Sequence, residues 1–199
     1  MRDRYPADWR VDLGERHSLE EAVGNAIDQS AGLTRLTTST ASMNRLDFQI
    51  LLPGDCLGQL ELKAKRQNYR NWPAIGPGVP ESDVFILDEL ALRKIVDAGR
   101  YSFLLVKDFP AKRWCLWSTW ELILARKLRV TRRLATTTPT VKGKLLIDLG
   151  SAPAQCTTVE EILHELWKLA AEIDRQWNDI RPWPWIERAA ISSTPRKGA

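Results

Sequence analysis

Residues 46–65, LDFQILLPGDCLGQLELKAK, contain two stretches of alternating apolar and polar side chains with a turn signal between them. Residues 46–52 and 59–65 alternate with the period of two that is typical of β-strands. Pro53, Gly54 and Asp55 lie between the two stretches and favour a turn. This part of the chain therefore predicts an antiparallel β-hairpin, around which the rest of the fold is arranged.

Successive side chains of a strand point to opposite faces of its sheet, so the alternation separates an apolar from a polar face. The apolar face of the hairpin comprises Leu46, Phe48, Ile50, Leu52, Leu60, Leu62 and Ala64. If this face packs on the core, Asp47, Glu61 and Lys63 emerge together on the other side. Two neighbouring carboxylates repel each other unless a cation lies between them. A hard divalent ion such as Mg²⁺ prefers oxygen ligands and meets that need.

Asp47, a gap of 13 residues and then Glu61-Leu62-Lys63 resembles the motif of the PD-(D/E)xK nucleases. The resemblance implies that Asp47 and Glu61 bind Mg²⁺, with Mn²⁺ as a substitute, and that Lys63 orients or deprotonates the attacking water. It also implies a restriction endonuclease-like α/β fold, with a central mixed β-sheet flanked by helices. Leu46 stands where the motif has its proline, and that proline is frequently absent.

Members of this family often use an acidic residue of the first helix as a further metal ligand. Apolar residues at helical spacing and a capping box formed by Ser18 and Glu21 predict that helix at residues 19–30. Glu20 lies beside the buried stripe, whereas Glu21 has a capping role. The resemblance therefore implies Glu20 as the assisting acid and as the fourth catalytic residue.

The remaining pattern alternates helices and strands, which is typical of an α/β or α+β sheet protein with helices packed on the sheet. Further strands are predicted near residues 33–40, 84–87, 101–107, 113–117 and 145–149, and further helices near 88–98, 118–127 and 158–177. We expect one domain over residues 1–181. Residues 182–199, which begin Pro-Trp-Pro-Trp, are expected to form an irregular tail.

Positive charge is concentrated in the middle of the chain. Residues 63–144 hold 17 of the 29 Lys and Arg residues but 7 of the 25 Asp and Glu residues, a distribution expected of a surface that faces a polyanion. Basic, amide and aromatic side chains of this region can contact phosphates and bases. The predicted nucleic-acid-binding residues are Lys65, Arg66, Gln67, Tyr69, Arg70, Arg132 and Arg133. For the cluster around Arg132 and Arg133, solvated surface charge is an equally good interpretation.

These features predict a metal-dependent DNA endonuclease, restriction-like or defence-related, with DNA as its partner and no organic cofactor. A Holliday-junction-type resolvase, a non-catalytic nucleic-acid-binding module and a protein-interaction domain that uses the Trp-Pro tail are the alternatives. A homodimer is expected because cutting both strands commonly uses two sites. No apolar run approaches the ~18 residues of a membrane span, and no signal peptide is evident, so no membrane partner and a cytoplasmic location are expected.

Overall fold

The computed structural model describes residues 6–38, 45–68, 78–134 and 140–179. Its helices and strands follow in the order α1 (Pro6–Gln29), β1 (Thr34–Thr38), β2 (Phe48–Leu52), β3 (Cys56–Lys65), β4 (Val84–Asp88), α2 (Glu89–Asp97), β5 (Ser102–Asp108), β6 (Arg113–Ser118), α3 (Thr119–Leu124), β7 (Lys127–Leu134), β8 (Thr140–Asp148), β9 (Ala154–Cys156) and α4 (Val159–Asp179). The described residues form an α/β protein in which helices flank a mixed sheet, as the pattern of elements predicted.

Two sheets form the centre of the fold. The larger has six strands in the order β1-β2-β3-β5-β6-β9, and only the β3–β5 pair within it is parallel. The smaller is an antiparallel sheet in the order β4-β8-β7. The predicted hairpin is confirmed: β2 pairs antiparallel with β3, from Phe48 opposite Leu60 to Leu52 opposite Cys56.

The large sheet lies between two layers, and each of its faces packs against a separate hydrophobic cluster. The first cluster joins β2, β3, β5 and β6 to α1 and α4, through residues such as Val23 of α1 and Leu166 of α4. The second joins the opposite face of β5 and β6 to α2, α3 and the small sheet, through residues such as Ile95 and Ile147. Leu60 and Leu62 of β3 belong to the first cluster. The odd-numbered residues between and beside them therefore face the second layer.

Several elements differ from the sequence prediction: β9 was not predicted, and β8 begins at Thr140 rather than at residue 145. Helix α1 begins at Pro6 rather than at residue 19, so Ser18 lies within the helix and does not start it. Proline is well tolerated in the first turn of a helix, and no later proline interrupts this one. Strand β7 was not predicted, because its basic residues resemble a charged loop; it pairs with β8 along its whole length, from Lys127 opposite Ile147 to Leu134 opposite Thr140.

None of the helices in the described part of the chain combines the length and the apolar character needed to cross a membrane. The tail at residues 182–199 lies outside the described residues.

Candidate active site

The strands β2 and β3 separate at Asp47, and this fork creates the site. Regular pairing begins at Phe48, so the chain before it is not bound by strand alternation. Leu46, predicted on the same face as Phe48, instead packs in the second cluster. The backbone N–H of Leu62 donates to Oδ2 of Asp47 over 2.8 Å. The carboxylate thus takes the place of a backbone acceptor, and it is held rigidly with 6% of the residue exposed.

Glu61 and Lys63 project from β3 toward the same fork. They lie on the strand face opposite Leu60 and Leu62, and Glu61 is buried. The Lys63 ammonium donates to Oε1 of Glu61 and forms an ion pair with it. Burial raises the pKa of the Glu61 carboxyl above its ordinary value; Lys63 opposes this effect, and the nearby negative charge of Asp47 adds to it.

The structure therefore brings Asp47, Glu61 and Lys63 together. Because the negative charge of Asp47 disfavours the ionised form of Glu61, a cation between the two carboxylates would stabilise that form. Their donor atoms are carboxylate oxygens, which suit Mg²⁺ or Mn²⁺, and such ions commonly bind to one or two carboxylates and complete their shell with water and phosphate oxygens. The residues present fit a divalent ion on these grounds.

Glu20 lies on helix α1 and not on the hairpin that carries this pair. It is buried on α1, where Nδ1 of His17 lies 3.8 Å from its Oε2. Helix α1 packs on the face of the sheet that carries the first cluster, whereas Glu61 points to the other face. Among the described residues, no three His, Cys, Asp or Glu side chains are arranged to hold a metal. The predicted three-acid group with Glu20 is thus not formed in this arrangement.

The prediction that Lys65 binds nucleic acid is contradicted by the structure. Its side chain is fully buried, lies 3.6 Å from Oδ2 of Asp108 and donates to the backbone carbonyl of Ser82. A side chain in this position cannot reach a phosphate on the surface. The sequence places Lys65 at the start of a basic tract. Lys65 is, however, the last residue of β3, and the second layer covers the strand at this point.

The other predicted nucleic-acid-binding residues are distributed as follows. Arg66 is partly exposed and Gln67 is exposed, directly after β3. Tyr69 and Arg70 lie outside the described residues. Arg132 and Arg133 belong to β7, opposite Lys142 and Val141 of β8, and their side chains are outside the description.

A row of charged residues that the sequence did not single out crosses the sheet beside the site. Lys65, Asp108 and Arg113 are paired across β3, β5 and β6. Nε of Arg113 donates to Asp108 over 3.2 Å, and its Nη2 donates to Asp83 over 2.6 Å. This row ties the end of β3 to the segment that leads into β4. The sequence signal for this row was the occurrence of opposite charges near the ends of predicted strands.

Lys94 of α2 is a further charged residue that the sequence did not indicate. Helix α2 packs against β3, β4, β5 and β8, and the positive charge of Lys94 lowers the pKa of Glu61, against the effect of burial. In the sequence, its position between the apolar residues Ala91 and Ile95 of a predicted helix was the signal that it borders the core. Both neighbours are buried in the structure.

Neither protein-family models nor curated proteins nor solved structures contain a match to this chain.

Proposed function

We propose that the chain is a metal-dependent DNA endonuclease of the PD-(D/E)xK type with a restriction endonuclease-like fold. The observation that supports this best is the fork at Asp47, where two buried carboxylates lie together with the Lys63 ammonium. Two buried carboxylates side by side are costly for folding, and burial and the charge of Asp47 both raise the pKa of Glu61; such perturbed groups are concentrated at functional sites. An ordinary solvated hairpin would leave these side chains in water.

In the proposed reaction, Asp47 and Glu61 would hold one divalent ion, Mg²⁺ or Mn²⁺. Such an ion, when bound, polarises a phosphate oxygen and lowers the pKa of a coordinated water. Glu61 acts in its ionised form, which a bound ion would favour against the effect of burial. Lys63 exchanges its partner from Glu61 to the scissile phosphate or to the attacking water, where its charge offsets the negative charge that develops. The Leu62 N–H keeps Asp47 in place during these changes.

DNA is the proposed substrate because the basic residues are concentrated in residues 63–144, a stretch that begins at Lys63 of the site. Non-specific contacts with the phosphate backbone depend on such charge and weaken as salt is added. A homodimer would allow both strands to be cut, and it is proposed on that ground alone. Sequence-specific cutting and resolution of branched DNA both remain within the proposal.

Cleavage of plasmid, linear and branched DNA with Mg²⁺, with and without a chelator, tests the proposal. Asp47→Asn is the informative variant, because asparagine keeps an oxygen that accepts the Leu62 N–H and loses only the charge. We expect cleavage to fall by at least about a hundredfold, the scale on which single electrostatic groups act in active sites. Asp55→Asn removes an exposed acid from the same hairpin and is the matched control. Equal cleavage by Asp47→Asn and wild type would exclude the assigned site.

The ion pair between Lys63 and Glu61 favours one alternative, a non-catalytic nucleic-acid-binding module, because it neutralises one carboxylate without a metal. Salt-sensitive DNA binding without cleavage in Mg²⁺ or Mn²⁺ would support that alternative.

A further inference from the structure

Lys94 lies at the edge of the candidate active site, on a helix that covers it. Ala91 and Ile95 of α2 are buried in the second cluster, against the same face of the sheet toward which Glu61 points. Lys94 precedes Ile95 and follows Ala91 by nearly one turn, so it lies beside the face of α2 that contacts the sheet. Its side chain is neither buried nor fully exposed. Lys94 therefore borders both the covered face of β3 and solvent.

The two basic residues of α2 have different surroundings. Nη2 of Arg93 pairs with Oε1 of Glu89 at 2.8 Å. Lys94, by contrast, has no ion pair within 4.0 Å and no side-chain hydrogen bond among the residues that the structure describes. Helix α2, which carries Lys94, packs against β3, the strand that carries Glu61. Lys94 therefore presents a positive charge, beside two buried acids, to a ligand that enters the site.

The charges of the site indicate what that cation binds. Asp47 and Glu61 contribute two negative charges, and Lys63 and Lys94 contribute two positive charges. A divalent ion on the carboxylates would leave both ammoniums uncompensated. Two backbone phosphates, each with one negative charge, would restore neutrality.

We propose that Lys94 binds a backbone phosphate of the DNA at the active site, as a second cation beside Lys63. This inference rests on the proposed function. The simpler interpretation is that Lys94, in the last turn of α2, only stabilises the negative end of the helix dipole.

Equilibrium binding to a short DNA duplex in Ca²⁺, which binds carboxylate oxygens and here replaces Mg²⁺, measured by fluorescence anisotropy over a range of salt concentrations, tests the proposal. We expect Lys94→Ala to weaken binding roughly tenfold, as for the loss of one charged hydrogen bond, and to reduce the slope of log affinity against log salt by about 0.9. Lys94→Arg should keep the slope. Arg93→Ala is the matched control, since its guanidinium is paired with Glu89.

Cleavage kinetics in Mg²⁺ give the second measurement. We expect Lys94→Ala to raise KM more than it lowers kcat. An unchanged salt slope together with an unchanged KM, or a lower melting temperature with an unchanged slope, would overturn the role of Lys94 in phosphate binding. If wild type cleaves DNA and Lys94→Ala binds and cleaves DNA as Arg93→Ala does, the phosphate contact of Lys94 is contradicted and the endonuclease proposal stands. Wild-type protein that does not cleave, but whose slope depends on Lys94, defeats the endonuclease proposal and keeps the phosphate contact.

Discussion

Replacing Lys65 by methionine separates a structural role of this residue from the nucleic-acid-binding role that the sequence predicted. Methionine retains the length of the apolar stem and removes the ammonium. Removing one partner of a buried ion pair typically costs about 3–5 kcal/mol, because the other charge stays buried. Asp108 keeps the hydrogen bond from Nε of Arg113. We therefore expect Lys65→Met to lower the free energy of unfolding by about 3 kcal/mol, the lower end of that range.

Urea unfolding followed by circular dichroism measures this loss. Lys168→Met is the matched control, because Lys168 pairs with Glu165 on the surface and such pairs contribute about 0–1 kcal/mol. DNA affinity should be the same for folded Lys65→Met and wild type. A loss of stability no larger than that of Lys168→Met, together with a shallower salt dependence of DNA binding, would refute the structural role and restore the predicted phosphate contact.

Two further predictions concern β3. Gly58→Ala should lower the free energy of unfolding in urea by about 1–2 kcal/mol, because the added Cβ would lie 2.8 Å from Cδ1 of Leu52; unchanged stability would show that Leu52 moves aside. Burial raises the pKa of Glu61 above 4.5, so its contribution to stability is complete below pH 4.5 and is lost as the pH rises through the folded-state pKa. Wild type should therefore lose stability relative to Glu61→Gln over that interval in thermal unfolding without metal, and a difference that stays constant or changes in the opposite direction would contradict the raised pKa.

The hairpin could be predicted from the sequence because its information is local. Two alternating stretches separated by Pro53-Gly54-Asp55 specify pairing and faces at once. Alternation also placed Glu61 and Lys63 on one face, as the structure has them. It failed at Leu46, since the rule holds only within the ladder, and the ladder ends at Phe48.

The surroundings of the site were not predictable in the same way, because they depend on how distant elements pack. Lys65 is buried only because the segment around Ser82 covers the end of β3. Trp120 and Trp167 have apolar neighbours in the sequence, yet 54% of Trp120 and 37% of Trp167 is exposed. Composition alone does not tell which side of a helix meets the sheet.

A calorimetric titration with Mn²⁺ tests most directly whether Asp47 and Glu61 hold a divalent ion. We expect one saturable site in wild type and in Asp55→Asn, and its loss in both Asp47→Asn and Glu61→Gln. Equal binding by all four proteins, or the absence of binding by wild type even with a DNA duplex present, would contradict the proposed metal site.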